Sequence, residues 1–355
     1  MTTSSRQTRD TLSTAIHKYK KKISSSNLAR STKRSYMSAL NTMLTTCPLI
    51  SMYVKDITAD MLEQYLNIDL RSLENSKGMI YSTKTRKNFA SILSKLFKWY
   101  LKQNKIRRSP FEIGVDVHKW DDKKHIMPYT SEEVNRVLEQ ADGSGVVEAF
   151  ELICDEGTRV EETLGLTDSS LEHDSESNVR RLFIDKALCL GEIKQPKTNS
   201  SKRTIAILED TYKTIEQIKL TQDRNKYEYV AENREGKKRL VEEKFIFFNP
   251  KTGLPWKNSN QYYYALKPYF NKAGVTFRGS QPARHTFATD MLQQSLIGGS
   301  IDETSFVKTI AELAEIMGHS KPDILKENYV HWSNYTRGNS TVRKRKSHRS
   351  RSLKC

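Results

Sequence analysis

A tyrosine phenol becomes a nucleophile only when one group removes its proton and another stabilises the centre it attacks. Tyr329 stands ten residues after His319, in the polar stretch that opens with Met317-Gly318-His319-Ser320 and closes with Tyr329-Val330. Alone, it reads as a half-buried aromatic near the end of a domain. Three earlier clusters change the weighing. Gly157-Thr158-Arg159-Val160-Glu161-Glu162 places an arginine just past a predicted helix. Lys197-Thr198-Asn199-Ser200-Ser201-Lys202-Arg203 places a lysine in a turn before a strand. Gln281-Pro282-Ala283-Arg284-His285 places a second arginine on a helix. Guanidinium groups bind oxyanions through charge-assisted, bidentate hydrogen bonds. Phenol, ammonium, imidazole and two guanidiniums together suit attack on an anionic centre.

The charge distribution points the same way. Residues 1–110 hold 21 Lys and Arg against 6 Asp and Glu, and residues 333–355 hold 8 against none. The intervening 111–332 is mildly acidic, with 30 against 36. Basic blocks at both ends imply a polyanion partner, because Lys and Arg release counterions from a phosphate backbone. The bland alternative is a basic tail that serves solubility. Cys47, Cys154, Cys189 and Cys355 are too far apart in sequence to suggest a disulfide framework or a zinc site. No apolar run reaches membrane-spanning length, and Met1–Asp10 lacks the apolar core of a signal peptide.

Patterning supplies the elements that must position these groups. Residues 1–9 read as a disordered N-terminus and 10–110 as a small helical bundle with a basic exterior. Ser31 and Thr58 are candidate helix caps, and the strongest helical pattern runs over Ser82–Lys102. Phe89, Ile92, Leu93, Leu96, Phe97, Tyr100 and Leu101 form one apolar stripe at helical spacing, with Lys84, Arg86, Lys87, Lys95, Lys98 and Lys102 off it. Residues 111–128 read as an interdomain linker and 129–332 as a second domain. In it, Thr130 or Ser131 caps a helix, and another covers 146–156. Strands fall at 182–184, 188–193 and 203–207, with a turn over 194–202. Helices follow at 209–220, 259–273, 284–295, 307–316 and 322–328. The charged stretch 222–244 reads as a solvated, partly helical insertion, and 333–355 as a mobile basic tail. The fold class expected is mainly α with a small antiparallel sheet.

Taken in order, the four motifs resemble those of the tyrosine recombinase (phage integrase) family. Arg159 in Gly-Thr-Arg-x-x-Glu resembles its first arginine motif, and Arg284-His285-Thr286-Phe287-Ala288-Thr289 its second. Gly318-His319 with Tyr329-Val330 resembles its last box. The 31–110 segment, with Ser31-Thr32-x-x-Ser35-Tyr36, is similar to the family's helical, SAM-like core-binding domain. The likeness spans about residues 10–332. Each motif is unspecific by itself; the ordered set is not.

The resemblance implies that Tyr329 attacks a scissile phosphodiester, giving a 3′-phosphotyrosyl bond and a free 5′-hydroxyl. It implies that Arg159 and Arg284 clamp the non-bridging oxygens, that Lys197 protonates the leaving oxygen, and that His319 hydrogen-bonds the phosphate. Lys194 and Lys202 share the hairpin with Lys197 and remain alternatives to it. Arg203 resembles a strand residue that often follows in the family. Gln281 stands where the family usually has a histidine thought to assist proton transfer. Glutamine donates and accepts hydrogen bonds but does not titrate. Either it only orients the phosphate, or another group takes the tyrosine's proton, or the enzyme is slower.

No metal or nucleotide cofactor is expected, because guanidinium groups supply the charge and the covalent bond conserves the energy. The partners implied are double-stranded DNA with specific recombination sites, three further protomers in a homo-tetramer, and accessory DNA-bending proteins, with no membrane. The implied location is cytoplasmic, at the nucleoid or in a host cell. Gln281, the insertions at 222–244 and 296–306 and the basic tail favour a mobile element. A type IB topoisomerase, which shares this chemistry, and a DNA-binding protein whose catalysis has decayed are the competing readings.

Overall fold

The structure, a computed structural model, describes residues 9–76, 78–119, 127–176, 178–194, 202–232, 238–296 and 303–319. The chain divides into two compact units, residues 1–124 and 125–355.

The first unit is helical. Helix α1 (Leu12–Ser24) is capped by the Thr11 side chain and buries Leu12, Ala15, Ile16, Tyr19 and Ile23. Helix α2 (Arg30–Thr46) starts after Ala29 without a side-chain cap, so Ser31 lies inside the first turn rather than ahead of it. Thr58 does cap α3 (Ala59–Gln64), which runs through a π-helical turn, Tyr65–Asp69, into α4 (Leu70–Ser72). Ser82 caps α5 (Thr83–Lys102), whose Phe89, Ile92, Leu93, Leu96, Phe97 and Tyr100 are buried. Each such side chain contributes roughly 1.5–3 kcal/mol relative to exposure, so this stripe is the unit's main stabilising surface.

Two expectations need correction here. Arg86 is not part of the basic exterior. It is 1% exposed and donates to Leu66 O, the Asn67 Oδ1, the Thr83 Oγ1 and His118 O. Asn67 in turn donates to Asp116 O at 2.9 Å and accepts from His118 N at 3.0 Å. The segment expected as a linker from residue 111 is therefore, up to 118, fastened to the first unit. Its start forms α6 (Pro110–Ile113), and Val117 is buried in the same core.

In the second unit, α7 (Ser131–Leu138) carries a capping box between Thr130 and Glu133. Helix α8 (Val146–Glu156) is buried nearly all round, acidic residues included, and runs through the centre of the core. After α9 (Val160–Thr163) comes a three-stranded antiparallel sheet. Its strands β1 (Leu171–Asp174), β2 (Val179–Ile184) and β5 (Arg203–Ala206) lie in the order β1-β2-β5. The strand expected at 188–193 is instead a hairpin of β3 (Ala187–Cys189) and β4 (Glu192–Lys194). Its turn residues Leu190 and Gly191 both have positive φ, as a twisted two-residue turn requires.

Helix α10 (Glu209–Thr221) precedes a further correction. Among its described residues the stretch 222–244 is not helical: β6 (Lys226–Glu232) pairs antiparallel with β7 (Lys238–Lys244). Polar bonds fix the base of this hairpin. Glu243 accepts from Tyr229 Oη and Ser169 Oγ, and Lys186 beside it donates to the Thr167 Oγ1 at 2.7 Å. The short pair β8 (Phe248–Asn249) and β9 (Leu254–Pro255) leads to α11 (Ser259–Lys272), α12 (Ser280–Leu296) and α13 (Glu303–Ile316). The mainly helical class with small antiparallel sheets is as expected. Among the described residues no helix is long and apolar enough to cross a membrane.

Candidate active site

Three corners of the second unit meet at the C-terminal end of α13. The first is the exit of α8. Gly157 ends that helix with φ +62°, and a Cβ there would lie 2.3–2.9 Å from the Phe287 ring. Only glycine fits, by conformation and by space. Beyond it Thr158 is fully buried, its hydroxyl 2.6 Å from that of Thr163. Arg159 then opens α9. Its backbone N–H donates to Glu162 Oε2 at 2.9 Å, and its guanidinium donates to Glu162 Oε1 at 2.6 Å.

The second corner is α12. It begins at Ser280, earlier than expected, so Gln281 lies in its first turn and is exposed. Arg284, one turn further on, is 2% exposed. Its guanidinium donates to the carbonyls of Gly157 and Met317 and to the His319 Nε2, the last at 3.0 Å. His285 beside it is buried.

The third corner is the end of α13. Gly318 takes φ +66°, its N–H donates to Glu315 O, and the His319 N–H donates to Ala314 O, both at 2.8 Å. This is a Schellman close, with Gly318 at the left-handed position. It leaves three consecutive carbonyls, and a different arginine reaches each. Arg203 Nε donates to Ile316 O at 2.6 Å, Arg284 to Met317 O, and Arg159 to Gly318 O at 3.0 Å. Cations at the negative end of a helix dipole are favourable, and here they set the position of the Gly-His turn.

The protonation states follow. A guanidinium only donates, so His319 Nε2 accepts and the ring proton sits on Nδ1. Burial, then the Arg284, Arg159, His285 and Arg203 charges, bring His319 down to about 4. Burial and Arg284 bring His285 to about 4 as well. Both imidazoles are neutral near pH 7. Burial alone would raise the Glu162 carboxyl, but Arg203 and Arg159 hold it below the ordinary carboxylate range.

These shifts predict an acid instability. A histidine titrates near 6.5 in the unfolded chain, so between about 6.5 and 4 the unfolded state binds more protons. The histidines' contribution must fall as pH drops through that window and level off below it, where depressed carboxyls such as Glu162 continue the loss. Buried His285 contributes on the order of 2 kcal/mol between pH 7 and pH 5; half-exposed His319 adds less, through solvent screening. Glu148, whose burial raises its carboxyl, works in the opposite direction. Thermal melts in a Glu148→Gln background remove that opposing contribution. A melting temperature that stays level from pH 7 to pH 5 contradicts their neutral burial.

Of the residues singled out in the sequence, Arg159, Arg284 and His319 are therefore brought together, with Gln281 one helical turn before Arg284. Lys197, Tyr329 and the helix expected at 322–328 lie outside the described residues. Of the alternatives to Lys197, Lys194 lies on β4 with its ammonium 2.5 Å from Glu192, and Lys202 directly precedes β5. Sequence reasoning passed over Arg203 as a centre of contacts. Its signal was a basic residue opening a strand, at a position that resembles one in the family's motif.

The second unit has the fold of tyrosine recombinase catalytic domains. The particular similarities are to solved integrase structures. Tn1549 transposon integrase in complex with transposon right-end DNA is 20% identical over 93% of this chain and 100% of that one, with a TM-score of 0.66. A lambda integrase dimer bound to a COC′ core site is 14% identical, covers 97% and 100%, and scores 0.60. A lambda integrase tetramer bound to a Holliday junction is 16% identical, covers 88% and 79%, and scores 0.57. No family model and no curated protein sequence matches the chain.

Proposed function

We propose that this protein is a site-specific DNA recombinase of a mobile element, an integrase that cuts and rejoins strands through a 3′-phosphotyrosyl intermediate. The observation that carries this reading is the convergence of Arg159, Arg284 and His319 on the end of α13. Tyr329 is the nucleophile, ten residues beyond His319. Charge grows on the non-bridging oxygens of the phosphate in the transition state, and preorganised donors are worth most there. Arg284, buried and held from three sides, supplies a fixed cation. Arg159, with about a third of its side chain exposed, supplies a reachable guanidinium edge. His319, neutral and engaged through Nε2, has Nδ1–H left to donate. Lys197 protonates the departing 5′-oxygen. Gln281 orients the phosphate, since it cannot take the phenol's proton.

The helical, basic first unit is the core-binding domain, and the second is the catalytic domain. Four protomers act on two DNA sites in the cytoplasm, aided by DNA-bending proteins. A plasmid with paired copies of the sequence flanking the gene tests the reading. With the protein and EDTA, it should give recombinants joined at that sequence. Relaxation of any supercoiled plasmid regardless of sequence would mark a type IB topoisomerase instead.

A further inference from the structure

Arg203 has no part in the roles given above, yet it holds two pieces of the cluster together. It opens β5, opposite Ile184 of β2, and its side chain is 7% exposed. One edge of the guanidinium donates to Ile316 O at 2.6 Å through Nε. The other pairs with Glu162 Oε2 at 2.9 Å through Nη2. Glu162 in turn holds both the backbone N–H and the guanidinium of Arg159. The sheet is thus tied, through one planar group, both to the α13 end and to the carboxylate that orients Arg159.

The geometry points to Arg203 as a positioning residue: it sets the α13 end against Glu162 so that Met317 O, Gly318 O and His319 fall on Arg284 and Arg159. This rests on the proposed function for its activity readout only. Two arguments favour it over a plain ion pair. The three carbonyls are consecutive, so moving Ile316 O moves the acceptors of the other two arginines with it. A guanidinium also fixes the angle between its two partners, which a freely rotating ammonium does not. Among the described residues, the charged and titratable groups acting on His319 are Arg284, Arg159, His285 and Arg203. Loosening the turn weakens both burial and these contacts.

The test compares wild type with Arg203→Lys and Arg203→Gln in the full chain. Arg203→Lys keeps a cation beside buried Glu162, so the outcome does not depend on folding of the neutral variant. Three quantities are read: cleavage rate on a nicked duplex carrying the protein's own site, affinity for that duplex, and the His319 ring titration by NMR. Both variants should cleave about 100-fold more slowly, the scale of an ångström-level misplacement, with affinity within about twofold. In both, the His319 midpoint should move up from about 4 towards the ordinary imidazole value. Wild-type cleavage and titration in Arg203→Lys would overturn the proposal, because charge alone would then suffice. An unmoved His319 titration in both variants, with only the melting temperature lowered, would overturn it too. If wild type forms no covalent product, the proposed function fails, and the titration by itself decides the positioning role.

Discussion

Lysine in place of Arg284 should slow strand cleavage by about 1,000-fold while leaving DNA affinity within a few-fold. The side chain is 2% exposed and donates to Gly157 O, Met317 O and His319 Nε2. Lysine keeps the charge but not the planar fork, so it cannot span these three acceptors and also face a phosphate. Each acceptor left unsatisfied in the interior costs about 1–3 kcal/mol, which should also lower the melting temperature. Single-turnover cleavage measured beside DNA affinity separates the outcomes. Equal losses in rate and affinity would mean that Arg284 only binds DNA. An unchanged rate would remove it from the active site.

Alanine at Gly157 should destabilise the second unit by about 3 kcal/mol, from about 1–2 for a left-handed residue and a similar amount for overpacking. The φ is +62°, and the added methyl carbon would lie 2.3 Å from the Phe287 ring at its nearest atom. For a unit of this size that is a melting temperature roughly 10 °C lower. Because Gly157 O accepts from Arg284, cleavage should fall as well. The double variant Gly157→Ala/Phe287→Leu should recover part of the stability, since it relieves the clash but not the backbone strain. A single variant as stable as wild type would show that the α8 exit does not need a glycine.

What the sequence made legible was local. The apolar stripe of α5, the cap at Thr58, a helix start at Thr130 or Ser131 and the Gly318 turn all follow from spacing within one element. What it hid was long-range or masked by composition. The two-residue turn at Leu190-Gly191 interrupts an apolar run that reads as one strand. Charge concealed the β6–β7 pair, because Tyr227 and Tyr229 alternate with Lys226 and Glu228, and Leu240-Val241 lies between Lys238-Arg239 and Glu242-Glu243-Lys244. Arg86 reads as a surface cation until Asn67 and His118, both distant in sequence, are seen around it. The steric need at Gly157 is set by Phe287, 130 residues away, and the role of Arg203 by Ile316. At the site, motif order singled out Arg159, Arg284 and His319, which the fold brings together, but not that consecutive carbonyls of one helix end would gather the arginines.

The central claim is that Tyr329 becomes covalently joined to DNA. The direct measurement is a suicide duplex, nicked beside the cleavage position so that the released fragment diffuses away and religation is blocked. Wild type should give a protein–DNA adduct stable to denaturant, with a free 5′-hydroxyl on the released strand and the DNA attached to the peptide bearing Tyr329. Tyr329→Phe should give none. No adduct from wild type, or an adduct from Tyr329→Phe, would contradict the account.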